Sequence, residues 1–361
     1  MRQHIVAVVA LAAIATGAAC AEKTDAEYRA EIAAEMHTEI TRYLADLVAA
    51  TRALQVAAPD HGWNAVDDDP AITRMRDAWK DARVAWENVE GAIAPMFAGL
   101  DESMDARYEE LLPGLGPQGD QYLFDADGVI GMHAVERILY KPYIRLEVVN
   151  FERSLPGYAP AAYPVTDDDA IEFKTKLVQR LVDDAIELQA SWRPEDVDIG
   201  TAYKGLVDLM KEQQSKVDLA VTGEEESRYS NITLLDLRNN LIGTSRVYEL
   251  FREWIRSKTS AAEVSDRQII DKMSQLHEAY TNLPSDSLPA VPAGWSSQSP
   301  SADALLTPFG ALWLQIRNCV DPQSDGSVVH EMNSIAATLG FSKLTGIDAP
   351  PAIHTRRSHR R

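Results

Sequence analysis

Residues 31–50, EIAAEMHTEITRYLADLVAA, carry the pattern that decides the fold class. Apolar side chains recur there at intervals of three and four residues, which places them on one face of an α-helix. They are Ile32, Met36, Ile40, Tyr43, Leu44 and Leu47. A second stripe runs from Leu206 to Leu219, and the alternating pattern of β-strands is hardly visible anywhere. The sequence therefore predicts an all-α protein.

The composition is typical of a folded globular protein, and the net charge is strongly negative. Hydrophobic residues make up 45% and charged residues 25% of the 361 positions, a balance typical of a folded globular chain. The formal net charge is −20, so the chain as a whole would repel a nucleic-acid backbone. We therefore expect no nucleic-acid partner.

Residues 1–21 have the features of an export signal. Arg2 supplies positive charge, an apolar run follows from Ile5 to Ile14, and small residues come next. Two processing routes stay open, namely cleavage before Glu22 or acylation of Cys20 as in bacterial lipoproteins. Either route predicts an exported, periplasmic protein: cleavage leaves it without an anchor, and acylation of Cys20 ties it to the membrane through a lipid at its start.

The remainder of the chain divides into a helical body and a tail. Predicted helices lie near 24–57, 70–98, 102–112, 127–142, 168–192, 199–221, 232–258, 263–282, 303–318 and 326–339. A passage rich in Pro, Tyr and Gly ahead of residue 165 separates two halves, 22–155 and 165–341. Residues 342–361 end in a cluster of arginines and predict a flexible basic tail.

The candidate site residues are several acidic residues and one histidine. His133 and Glu136 are three residues apart in GMHAVERILY, as are Glu87 and Glu90 in an earlier helical stretch, and residues three apart share a helix face. Asp105 and the glutamate string 224–226 add further carboxylates. Taken alone, each pair more often has a solvated or structural role. Together, oxygen donors and an imidazole suit iron, manganese or zinc better than copper(I).

Three segments resemble the imelysin-like family, and within it the EfeO/EfeM-type branch of periplasmic iron-uptake proteins. They are ENVEGAIAPMFAGLDESMDARYEE at 87–110, GMHAVERILY at 131–140 and VTGEEESRYSNITLLDLRNNLIG at 221–243. The Gly-x-His-x-x-Glu element is the signature of that family. The resemblance covers the chain from the first long helix to Phe341.

The resemblance implies an architecture and a metal site. It implies two four-helix-bundle-like halves packed together over residues 22–341, with the metal held between helices. The implied cation is iron, with zinc, manganese or calcium as alternatives, and the implied partner is an inner-membrane iron permease. An extra residue before Arg228 leaves open which glutamate of the string is a ligand, and whether Asp236 matters. The implied ligands are Glu87, Glu90, Asp105, His133, Glu136 and either Glu224 or Glu225.

Two functions compete for this site. One is capture of a metal ion for uptake, and the other is a metallopeptidase, because some imelysin relatives are classed as peptidases. Hydrolysis requires an open coordination position and usually a separate general base, which the sequence does not identify. A third interpretation, binding of acidic polysaccharide, requires a basic groove that the sequence does not indicate. We therefore expect a binding protein rather than an enzyme.

Overall fold

The computed structural model describes residues 23–341, and over that range the chain is all-α. Single turns of 3-10 helix lie at Ala94–Met96, Lys141–Tyr143 and Pro194–Asp196, a longer 3-10 segment with a kink at Gly116 lies at Leu112–Gln118, and a π-helical turn lies at Phe173–Leu177. The α-helices are α1 (Asp25–Ala57), α2 (Asp69–Glu87), α3 (Glu90–Ile93), α4 (Ala98–Asp105), α5 (Tyr108–Leu111), α6 (Gly131–Leu139), α7 (Leu146–Glu152), α8 (Asp167–Glu172), α9 (Val178–Ser191), α10 (Ile199–Leu219), α11 (Thr233–Lys258), α12 (Ser260–Thr281), α13 (Ala302–Leu305), α14 (Pro308–Val320) and α15 (Val328–Thr338).

The first helix shows how the sequence pattern becomes structure. Thr24 and Glu27 form a capping box, in which the Glu27 carboxylate accepts from the Thr24 backbone N–H at 2.7 Å, so α1 begins where its first free N–H groups find partners. The apolar stripe of α1 is buried, apart from the half-buried Tyr43. Burial of this face confirms the predicted amphipathic helix.

The helices assemble into two groups. In the first group α1 packs against α2 and α9, and α2 also contacts α6. In the second group α10, α11, α12, α14 and α15 pack together, and α11 lies against both α1 and α2. The two groups therefore share a continuous core.

The predicted boundary between the halves, 22–155 and 165–341, needs a correction. Helix α9 follows that boundary but packs along α1 in the first group, where Gln55 donates to the side chain of Gln179 at 2.7 Å. The apolar face of α9 is covered in this way, and the His37 and Trp192 rings stack at 5.8 Å just beyond its end. The chain therefore passes from the first group to the second after α9.

The predicted helix over 70–98 is interrupted between α2 and α3. Gly243 of α11 lies so close to this interruption that a Cβ atom there would be 2.2 Å from the Asn88 carbonyl oxygen. The Asn88 side-chain amide also donates to Oδ1 of the Asn239 side chain of α11 at 2.9 Å. The residues between α2 and α3 therefore pack against α11, and this break in the helix separates Glu87 from Glu90.

Several predictions fall on residues 1–22 and 342–361, which lie outside the described range. These are the export signal with its two processing routes at Cys20, and the basic tail. Among residues 23–341, no helix combines the length and apolar character needed to cross a membrane. Cys319 is a free, buried thiol.

Candidate metal centre

Helix α6 places the histidine of the site, and Gly131 determines where that helix begins. Gly131 has a φ of 84°, and a Cβ atom there would lie 2.7 Å from the carbonyl oxygens of both Ser103 and Met104. Only glycine adopts this conformation at such a close approach without strain. The start of α6 therefore packs tightly on the end of α4, and His133 comes to lie beside Asp105.

Three donors from three separate segments converge at His133. Its Nε2 atom lies 3.3 Å from Asp105 Oδ1 at the end of α4 and 3.3 Å from Glu226 Oε1 in the loop before α11. The donor atoms of Asp105, His133 and Glu226 all lie within 4.8 Å of one another. Glu87, Glu90 and Asp105 form a second such group with the same limit. Asp105 belongs to both groups and joins them.

Glu136 lies on the other side of the imidazole. Its Oε2 atom is 3.0 Å from His133 Nδ1, while its Oε1 atom accepts from the backbone N–H groups of Tyr229 and Ser230 at 3.1 and 2.8 Å. The Ser230 hydroxyl donates to the same oxygen at 2.7 Å. A carboxylate held in this way fixes the ring orientation, so that Nε2 faces Asp105 and Glu226. In this arrangement Glu136 positions His133 instead of facing the other donors.

The glutamate string requires a correction. The sequence assigns Glu224 or Glu225 to the site, whereas the structure brings Glu226 to His133. Glu225 is buried but pairs with Arg145, and the half-buried Glu224 accepts from Arg107 through its backbone carbonyl at 3.4 Å. Glu226 is therefore the member of the string that faces His133.

A fully buried arginine lies among the same carboxylates. The Arg83 guanidinium donates to Asp105 Oδ1 and to Glu87 Oε1. Its Nη2 atom is also 3.6 Å from Glu226 Oε1, and its Nε atom is 3.6 Å from Asp236 Oδ1. Arg83 and Glu87 are four residues apart on α2, a spacing that places both on one face. One cationic side chain thus faces four carboxylates.

Lysine and asparagine side chains from the second helical group complete the cluster. The Lys216 ammonium of α10 lies 3.8, 3.7 and 3.6 Å from oxygens of Glu87, Glu90 and Glu226. The Asn240 amide of α11 donates to Glu90 Oε2 at 2.8 Å and also to Glu87. The site therefore lies where the two groups of helices meet.

Comparison with known proteins identifies the family. The family model described as Imelysin matches residues 26–306, which is most of the chain. The chain belongs to the imelysin family. It is similar to an imelysin-like protein from Psychrobacter arcticum of known structure, at 11% identity and a TM-score of 0.56 over 89% of this chain and 98% of that one. At that identity the likeness concerns the fold, and it agrees with the all-α prediction.

Two relatives of this imelysin-family chain are named Efem/EfeO family lipoproteins. The protein from Staphylococcus haemolyticus is 26% identical over 209 residues, which cover 58% of this chain and 59% of the relative. The protein from Staphylococcus aureus is 31% identical over 130 residues, which cover 36% of this chain and 44% of the relative. The chain therefore spans about half the length of these relatives. Their names agree with the resemblance to the EfeO/EfeM branch.

Electrostatics in this imelysin-type site show an excess of negative charge. Burial raises the pKa of Glu87 well above its ordinary value, although Arg83 and Lys216 oppose the change. Burial also raises the pKa of Asp236 to about 6 against the attraction of Arg83. Burial alone would lower the pKa of His133, but its hydrogen bonds to Asp105, Glu136 and Glu226 raise it overall. Against the effect of burial, Lys216, His133 and Arg83 hold the pKa of Glu226 well below its ordinary value, so the cations of the cluster already balance part of its negative charge.

The donor set of this imelysin-family site fits a metal ion. Asp105 and Glu226 offer carboxylate oxygens and His133 offers Nε2, a combination that suits iron, zinc or manganese. The side chains of Asp105, His133 and Glu226 are only 8%, 1% and 10% exposed, so a cation among them would be largely dehydrated. Buried carboxylates repel one another unless a cation lies between them, and a metal would supply that charge.

Sequence reasoning missed some of the residues that form the site in this imelysin-family chain. Arg83, Lys216 and Asn240 were not predicted, and Glu226 was named only as a member of the string. The spacing of Arg83 and Glu87 was a usable signal, because residues four apart on a helix are neighbours. Lys216 and Asn240 lie far along the chain, so only the packing of α10 and α11 brings them to the site.

Proposed function

We propose that this chain is an exported protein that captures iron, or a similar divalent or trivalent cation, in the periplasm for an uptake system. The observation that carries the proposal is the convergence of Asp105, His133 and Glu226, whose donor atoms lie within 4.8 Å in a buried site. Three donors from distant parts of the chain rarely meet in this way without a ligand, because burying charge is costly. Membership of the imelysin family adds to this support.

The remaining carboxylates take distinct roles in the proposal. Glu87 and Glu90 extend the donor set on the side of Asp105, with which they share the second group of converging oxygens. Glu136 holds the imidazole of His133 in place through Nδ1. Calcium is the weakest of the alternative cations, since it prefers oxygen ligands to an imidazole nitrogen.

The cellular setting follows from the relatives and the N-terminal segment. The matched relatives are named lipoproteins, which agrees with acylation of Cys20 and a lipid-anchored periplasmic protein. The proposed partner is an inner-membrane iron permease that receives the captured ion. Labelling the cells with a radioactive fatty acid would test the anchor, because the Cys20→Ala form would carry no label.

Substitutions within the glutamate string test metal capture. Glu226→Gln removes one donor charge at the site, so we expect it to lower retention of Fe(II) about tenfold or more in anaerobic equilibrium dialysis with metal analysis. Glu225→Gln is the matched control, because Glu225 faces Arg145 and should retain metal as the wild type does. Equal retention by wild type, Glu226→Gln and His133→Ala would contradict the proposal. Parallel dialysis against Mn(II), Zn(II) and Ca(II) would rank the cations.

The metallopeptidase alternative finds less support in this geometry. Glu136 is fully buried and engaged by His133, Tyr229 and Ser230, so it is not free to act as a general base on water. His133 and Glu87 are each 1% exposed, which leaves a polypeptide no access to them in this conformation. Chelator-sensitive cleavage of an unfolded substrate, lost in Glu136→Ala, would reverse this conclusion.

A further inference from the structure

Arg83 faces the same oxygen atoms that would bind the cation. Asp105 Oδ1, which lies 3.3 Å from His133 Nε2, also accepts a hydrogen bond from Arg83. Glu226 Oε1, at the same distance from that nitrogen, is 3.6 Å from Arg83 Nη2. A cation held by these two oxygens and the imidazole would lie next to a buried guanidinium. Two buried positive charges at such a separation repel each other strongly.

A second position for the guanidinium exists beside the first. Asp236 is wholly buried, and although the Ser227 side chain lies close enough to lower its pKa, within the described residues neither carboxylate oxygen meets a partner at ordinary hydrogen-bond geometry. The Arg83 Nε atom also has no partner at such geometry, and it lies 3.6 Å from Asp236 Oδ1. Buried polar atoms without partners are uncommon, so each requires an explanation. A planar guanidinium can bind a carboxylate through two parallel hydrogen bonds.

We propose that Arg83 is an exchangeable counter-ion, which pairs with Asp105 and Glu87 in the metal-free protein and turns to Asp236 when a cation binds. This inference rests on the proposed function, since it concerns the same site. Arg83 then lowers the affinity for the cation, because the incoming ion must break its hydrogen bonds to Asp105 and Glu87. In return, Arg83 keeps the buried carboxylates stable in the metal-free protein. Asp236 offsets part of the cost of the exchange.

The first test removes the guanidinium. Arg83→Met keeps the length of the side chain without its charge, so we expect Fe(II) to bind about tenfold or more tightly than to the wild type. The melting temperature should fall for metal-free protein and rise further on adding metal than it does in the wild type. Weaker binding by Arg83→Met would overturn the proposal, because it would show that Arg83 supports the bound state. Arg252→Met, which breaks a partly buried arginine–aspartate contact to Asp266 elsewhere, should leave affinity unchanged.

The second test changes the carboxylate that would receive the guanidinium, and only its wild-type arm is independent of whether Arg83→Met folds; unchanged metal binding in that arm would itself overturn the proposal. Asp236→Asn preserves the shape of the side chain but removes the charge that would receive Arg83, so it should weaken metal binding about tenfold in the wild-type background. In the Arg83→Met background the same change should have an effect of less than about threefold, because no guanidinium remains to be received. Equal effects in both backgrounds would make Asp236 a metal ligand or a structural residue, and would overturn the exchange.

A spectroscopic readout tests whether the cation lies at Asp105. The Trp86 indole N–H donates to Asp105 Oδ2 at 2.8 Å, so its fluorescence reports on the environment of that carboxylate. We expect metal to change the emission in both the wild type and Arg83→Met, and no change in either would overturn the placement of the cation at Asp105. Retention of metal by the wild type tests the proposed function, whereas the ratio between variants tests the exchange. The two can therefore fail separately.

Discussion

Two regions of the molecule bury an arginine with carboxylates, and they differ in their balance of charge. Arg137 pairs with Glu152 through two hydrogen bonds to Oε2, at 3.0 and 3.1 Å, and Tyr229 donates to the same carboxylate. The guanidinium also lies 4.2 Å from the ring centre of Tyr108. Arg83, in contrast, faces four carboxylates and leaves both oxygens of Asp236 without hydrogen bonds.

The difference supports a structural role for the Arg137 region and the proposed metal site in the Arg83 region. In the Arg137 region one positive and one negative group neutralise each other, and nothing further is needed to stabilise them. In the Arg83 region the carboxylates outnumber the cations around them, and this excess destabilises the metal-free protein. An excess of buried charge persists only where another gain offsets it, and a binding site for a cation supplies such a gain.

The largest expected effect lies in the balanced region. Arg137→Met leaves Glu152 buried without its cation, so the free energy of unfolding should fall by about 3–5 kcal/mol. Urea unfolding with and without Fe(II) would measure this loss, which should be the same in both conditions. A loss that disappears on adding metal would place Arg137 in the metal site and erase the contrast. Arg42→Met, which breaks an exposed pair with Glu39, is the control and should change little.

A smaller loss of stability is expected at Gly131, where the start of α6 packs on the end of α4. Gly131→Ala forces a Cβ atom against Ser103 and Met104 at a positive φ, so stability should fall by about 2–3 kcal/mol. Metal retention should fall as well, because α6 would shift His133 away from Asp105. Gly99→Ala is the control, since a Cβ atom there meets nothing within 4 Å. If Gly131→Ala retained full metal affinity, the site would not depend on this contact.

The smallest expected effect is a dependence of the free energy of unfolding on pH, which arises from Asp101 beside the buried carboxylates. Burial and repulsion from Asp105 and Glu90 raise the pKa of Asp101 to about 8, above its ordinary value of 3.8. The folded state therefore holds this proton more tightly than the unfolded state, and stability is lost as the pH rises toward 8. We expect a loss of about 2 kcal/mol between about pH 5.5 and 8 in metal-free protein. Asp101→Asn should flatten that slope, and an unchanged slope would assign it to another group.

Features that depend on one segment alone could be predicted from the sequence. The stripe of α1 predicts both the helix and its buried face, because periodicity is a local property. The predicted helix over 70–98 failed at Asn88 because the interruption depends on contact with α11. Helix α7 was not predicted, since its seven residues are too few to show a period.

In the candidate site, too, residues with a local signal could be predicted, and those that depend on distant contacts could not. His133, Asp105, Glu87 and Glu90 could be named from local spacing and from the resemblance, and the structure brings them together. The choice of Glu226 over its neighbours depends on how the loop before α11 turns, which the sequence does not specify. Asp236 stayed an open question because its role is defined by Arg83, a residue on another helix.

The origin of the three converging donors has a mechanical consequence. Asp105 and His133 belong to the first group of helices, whereas Glu226 precedes α11 of the second. An ion bound to all three would act as a cross-link between the two groups, and pulling them apart would require breaking a coordination bond. Loading would then couple the unfolding of the two groups more tightly than their shared core does alone, and removal of the ion would loosen the contact between them.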